Sequence, residues 1–109
     1  MIEIQRRYPE RVHFVLGNHD HGHVGGPHTC KFYSDEVAQL ESKLEPGQRA
    51  AMHELFEGAL LLVLAPCGVF LSHGSPDDRL RDPAQLDGLD LSATIDGSEV
   101  DAIARAILT

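Results

Sequence analysis

Two short runs hold the residues best suited to chemistry, Gly17-Asn18-His19-Asp20 and Ser72-His73-Gly74-Ser75-Pro76. Each follows an apolar segment of strand length, residues 12–16 (VHFVL) and 69–72 (VFLS). Ligands of open α/β sheets gather outside the carboxyl ends of the strands, so two polar clusters at two strand ends can converge on one point. Gly17 and Gly74 let the backbone turn sharply there. Asn18 offers a neutral carbonyl oxygen and His73 an imidazole nitrogen, a mixed set that suits Mn²⁺, Fe or Zn²⁺ better than Mg²⁺ or Ca²⁺. His19 is placed to donate a proton or to clamp charge. Asp20 could hold its ring in one tautomer or simply cap the loop.

The loop after the first run carries His19, His21, His23 and His28, and H-x-H-x-H could chelate Zn²⁺, Ni²⁺ or Cu²⁺ by itself. The plainer reading is a flexible polar loop beside a cleft. Gly25-Gly26-Pro27 reads as a turn, because no Lys-Ser or Lys-Thr follows to make a phosphate cradle. His13 lies within a strand and reads as a packed or edge residue, and His53 reads as a helix surface residue. Asp77, Asp78 and Asp82 read as a solvated turn. Ser75 lacks the strand–GxSxG–helix elbow that would make it a nucleophile.

The elements that must position these groups follow from periodicity and punctuation. Residues 1–8 read as a helix end with Ile4 and Tyr8 on one face, stopped by Pro9. Residues 12–16 read as a buried strand. Residues 17–31, with four glycines, a proline and four histidines, read as a loop. Ser34 is the expected N-cap of a helix whose Val37, Leu40 and Leu44 share a face, with Asp35 and Glu36 in its first turn. Pro46 opens a second helix, striped by Met52, Leu55 and Phe56, and Gly58 closes it. Residues 59–65 (ALLLVLA) and 69–72 form a hairpin through Pro66, Cys67 and Gly68. A polar stretch over 77–93 leads to a last helix capped by Ser98, with Val100, Ile103 and Ile107 on one face. Three strands and three helices make an α/β chain, and three short strands are a poor independent sheet.

Composition narrows the function classes. The chain has 109 residues, enough for one domain. Its 42% apolar and 24% charged content is that of a soluble globular protein. The longest apolar run, residues 59–65, is far short of the roughly 18 residues a spanning helix needs. A net charge of −8 argues against a nucleic-acid binder. That charge is uneven: residues 1–33 hold four basic and three acidic side chains and five of the seven histidines, while the rest holds five basic and fourteen acidic. Cys30 and Cys67 form no paired framework and read as reduced thiols of a cytoplasmic protein.

Residues 9–20, Pro-Glu-Arg-Val-His-Phe-Val-Leu-Gly-Asn-His-Asp, resemble the GNH(D/E) block of the calcineurin-like metallophosphoesterases. The preceding Tyr8-Pro9 is similar to the phosphoprotein phosphatase branch, and Ser72-His73-Gly74 resembles its later His-Gly-Gly block with Ser75 in place of the second glycine. The separation of Asn18 from His73 is similar to the family's, and the likeness covers roughly residues 1–80. The resemblance implies a β-sandwich flanked by helices, with a two-metal site (Mn, Fe or Zn) at its edge. It implies hydrolysis of a phosphoprotein or small phosphomonoester, as in serine/threonine protein phosphatases, by in-line attack of a metal-bound hydroxide. By matching position, Asn18 and His73 would be metal ligands, His19 would protonate the leaving alkoxide, and Asp20 would orient His19 indirectly. The family's Asp-x-His and Asp-x-x-Asp-Arg blocks have no match in this chain, and no later Gly-x-His block follows His73, so the chain supplies only part of the ligands. The expectation is one incomplete domain over residues 1–109, truncated at both ends. Two other readings stand beside it: a His-rich metal-binding module, and a catalytically incomplete domain that self-associates through bare apolar surface.

Overall fold

The computed structural model describes residues 1–90 and 99–108. It is a mixed α/β arrangement of helices and small sheets. Helix α1 (Ile2–Arg7) leads into a turn, and the chain then enters the core at Leu16, which is fully buried. Residues 12–16 do not form a ladder strand. They meet the rest of the chain in one parallel bridge, Val15 to Leu60. Its bonds run from Leu16 N–H to the Leu60 carbonyl (2.9 Å) and from Leu60 N–H to the Phe14 carbonyl (2.8 Å). A parallel strand gains its stability inside a sheet covered on both faces, and among the described residues only this short partner lies alongside.

The segment expected to be an open loop is folded. Asn18–His21 form a short helix, α2, continued by a 3-10 turn over Gly22–Val24. Asp20 closes the start of α2, its Oδ2 accepting the Gly17 N–H at 3.0 Å. A two-residue hairpin follows, β1 (Cys30–Lys31) against β2 (Ser34–Asp35), turned by Phe32 and Tyr33 in left-handed conformations at φ 51° and 64°.

Helix α3 (Glu36–Glu41) is capped by Asp35, not by the expected Ser34, which sits in β2. The Asp35 carboxylate reaches the Ala38 N–H at 3.1 Å, the spacing a cap requires. Helix α4 (Pro46–Glu57) matches its expected span, with proline in the first turn and Gly58 as its C-cap. It buries Met52 and Phe56, one turn apart.

β3 (Leu62–Leu64) and β4 (Phe70–Ser72) form the expected antiparallel hairpin, with Val63 opposite Leu71. Gly68 supplies the left-handed residue of its turn at φ 86°. Leu64, Val69, Phe70 and Leu71 of this hairpin remain exposed. A 3-10 turn (Pro83–Leu86) is capped by Asp82. Helix α5 (Glu99–Leu108) seats Ile103 and Ile107 in the core, both fully buried. Its expected cap, Ser98, lies outside the described residues.

The core joins Leu16, Val24, Met52, Phe56, Leu61 and the buried face of α5. The chemistry-bearing loop therefore hangs directly from a core residue. No helix among the described residues is long and apolar enough to cross a membrane. Cys30 and Cys67 are both free and exposed.

Candidate functional site

Gly17 ends the segment that carries Leu16, and the Ser72-His73-Gly74 run ends β4. The fold brings these two ends together. A β-carbon built on Gly17 would stand 3.0 Å from His73 Nδ1 and 3.1 Å from Asp20 Oδ2. A side chain there would press on the imidazole and the Asp20 carboxylate, so glycine suits this position through close approach and not through an unusual backbone angle. The second run is anchored from behind. Gly74 N–H donates to the Ile107 carbonyl of α5, and the Ser72 hydroxyl donates to the Gly74 carbonyl. His73 itself is exposed, and Asn18, which follows Gly17 in the chain, is half-buried.

His19 points elsewhere. Its Nδ1 lies 2.6 Å from Glu36 Oε2 and 3.0 Å from the Thr29 hydroxyl. Thr29 in turn donates to Glu36 Oε2 at 2.9 Å. The Thr29 hydroxyl bond, followed by the His19 bond, holds the Glu36 carboxyl below its ordinary range, so it stays ionised as an acceptor. With Nδ1–H committed to Glu36, Nε2 is the ring atom left to hold or pass a proton. Glu36 does here what Asp20 was considered for. The Asp20 carboxylate is used on the Gly17 amide and does not reach the His19 ring in a hydrogen bond.

The remaining loop histidines disperse. His21 is buried, with Gly26 packed against its ring. His28 Nδ1 pairs with Asp35 Oδ2 at 2.7 Å. His23 Nδ1 meets Glu41 Oε1 at 2.9 Å, and His53 Nε2 meets the same oxygen at 2.8 Å. His53 is therefore part of a polar cluster, and not the simple surface residue its helix position suggested. His19, His23, Glu36 and Lys43 line a cleft of about 330 Å³.

Donor chemistry decides what this arrangement can hold. Asn18 and His73 are two neutral donors, which cannot balance two divalent cations. Among the described residues, the group of three His, Cys, Asp or Glu donors close enough to share an ion is His23, Glu41 and His53, which includes neither Asn18 nor His73. Asn18 and His73 alone therefore do not complete a metal site.

The acidic stretch after His73 behaves as a solvated turn. Asp77 is gripped by the Arg79 side chain and its backbone N–H, which hold its carboxyl at about 2, below the usual 3.8. The depressed value means the pair contributes stability above the ordinary pKa, which is lost as pH falls from 3.8 toward about 2. In Arg79→Ala the Asp77 carboxyl should titrate near its ordinary value. A carbon-detected NMR titration reads this directly, and an unchanged midpoint would show that the guanidinium is not the cause.

Sequence reasoning missed Thr29, Glu36, Glu41 and His53. Their partners lie 7 to 18 residues away along the chain, and no local pattern marks such pairs. The chain matches no model of a known protein family, no curated protein and no solved structure.

Proposed function

We propose that this chain forms the proton-donating side of a metal-dependent phosphoric ester hydrolase site, of the kind its GNHD and HG runs resemble. The observation that carries this reading is the meeting of His73 with Gly17 and Asp20 at the ends of two apolar segments. That is where a sheet-edge site would gather its groups. In this reading the parallel joint and the β3–β4 hairpin are parts of the metallophosphoesterase sandwich.

His19 protonates the leaving alkoxide through Nε2. Glu36 is a positioning residue that holds the ring through Nδ1 and fixes its tautomer. Asn18 and His73 are the candidate metal donors, and the absent carboxylates must come from outside this set of residues. A second copy of the chain is the proposed source, through acidic residues outside the missing family blocks. The exposed Leu64, Phe70 and Leu71 of the hairpin beside His73 offer an apolar surface for it.

The test is Mn²⁺-dependent hydrolysis of an aryl phosphate over a range of chain concentrations. Turnover should rise more steeply than linearly with chain and fall at least tenfold in His19→Ala, short of the full factor a general acid contributes. No metal-dependent turnover at any concentration would overturn the reading. Turnover that is unaffected by His19→Ala would remove His19 from its role.

A further inference from the structure

His23, Glu41 and His53 come from three different elements: the 3-10 turn after α2, the last residue of α3, and the middle of α4. Their side chains nevertheless converge on one carboxylate oxygen, with His23 Nδ1 at 2.9 Å and His53 Nε2 at 2.8 Å. One donor atom from each lies within 4.8 Å of the other two. A tetrahedral zinc ion holds nitrogen and oxygen at about 2.0–2.1 Å, which sets its ligand atoms about 3.3 Å apart. The two histidine–carboxylate contacts need to open by only a few tenths of an ångström to admit such an ion.

The setting leaves the cluster ordered and open to an ion. The His23 side chain is only 7% exposed, and its ring packs 5.7 Å from that of Phe56, so its direction is fixed. The Glu41 and His53 side chains are 24% and 35% exposed, which leaves an entry path. Two imidazoles and one carboxylate make a borderline N/O donor set that discriminates against Mg²⁺ and Ca²⁺.

We propose that His23, Glu41 and His53 bind one Zn²⁺-class divalent ion, at a site separate from Asn18 and His73. Three protein donors leave a fourth position for water or an anion. His23 also lines the cleft shared by His19, Glu36 and Lys43. Neutral imidazoles and a carboxylate leave the bound ion a net charge of +1, so an anion is the preferred fourth ligand.

The test is calorimetric titration of the full chain, stripped of metal, with Zn²⁺. Binding at one ion per chain is expected, weakened at least tenfold in His53→Ala and in Glu41→Gln. It should be unchanged within about twofold in an Asn18→Ala/His73→Ala chain. On the unaltered chain, the ring NMR signals of His23 and His53 should move with Zn²⁺ while those of His13 and His73 stay, a readout that does not depend on variant folding. Co²⁺ in place of Zn²⁺ should give the visible absorption of a low-coordinate N/O site.

Absence of saturable binding would overturn the proposal. So would affinity that survives both His53→Ala and Glu41→Gln. Affinity lost only in the Asn18/His73 variant would overturn it in favour of the hydrolase site. Because the hydrolase assay reads His19 and Mn²⁺ turnover, either proposal can fail without the other.

Discussion

Leu16→Ala is expected to lower the stability of this chain by about 2–5 kcal/mol, the cost of deleting three buried carbons and leaving an unfilled space. Leu16 is fully buried and belongs to the core shared by α4 and α5. Its amide is also one of the two bonds of the parallel joint to Leu60. The side chain and the backbone therefore hold the same position from two directions, and the site is poorly able to collapse around a smaller residue. Against the roughly 5–15 kcal/mol available to a domain, such a loss leaves a small margin. Urea unfolding should show a lower midpoint with an unchanged slope. Leu64 is 58% exposed. Leu64→Ala should therefore shift the midpoint very little. A Leu16 variant as stable as the Leu64 variant would show that the chain packs around some other centre. Because Gly17 follows Leu16 directly, the approach of His73 should loosen in the same variant.

The second large effect is expected at Gly26. A β-carbon there would lie 2.4 Å from Cγ and Nδ1 of His21 and 2.7 Å from its Cδ2, deep inside contact distance. The His21 residue is only 6% exposed, so its ring has no solvent to swing into. The Gly26 N–H also bonds to the His21 carbonyl at 2.9 Å, which prevents the backbone from backing away. Gly26→Ala should therefore cost about 1–3 kcal/mol through overpacking. The diagnostic is the double variant. In a His21→Ala background the ring is gone, and adding Gly26→Ala should cost almost nothing, a coupling that a chain-entropy effect of alanine would not show. Equal costs in both backgrounds would place the strain elsewhere.

What could be read from the sequence divides by the range of the interaction. α4 was legible because its signals are local: Pro46 opens it, Gly58 ends it, and Met52 and Phe56 recur one turn apart. The β3–β4 hairpin was legible because two apolar runs flank Pro66, Cys67 and Gly68. The short helix α2 was hidden by its composition, since glycines and histidines read as loop. Yet Asp20, three residues after Gly17, carries a recognisable capping signal. The first hairpin was not legible, because Phe32 and Tyr33 occupy left-handed positions where glycine or asparagine is expected. Residues 12–16 have strand composition, but a strand is made by its neighbours, and only Leu60 pairs with them among the described residues.

The site followed the same rule. Asn18, His19 and His73 could be chosen from sequence because they close apolar runs. Glu36 had been given only a helix-terminus role, and its distance along the chain hid its hydrogen bond to His19. The carboxylate partners of His23 and His28 were equally out of reach of spacing arguments.

The parallel joint between Val15 and Leu60 has a kinetic meaning. Closing a loop of about 45 residues costs about 3 kcal/mol of chain entropy by loop-closure scaling, before the contacts it enables can offset any of it. Helix α4 and the β3–β4 hairpin lie within or beside that loop and are made of neighbours in sequence, so they can form on microsecond timescales without it. By its sequence separation, joining the two ends is expected to follow these local elements. The encounter of His73 with Gly17 waits on the same step, because Gly17 lies beside the joint and His73 ends the hairpin that follows it.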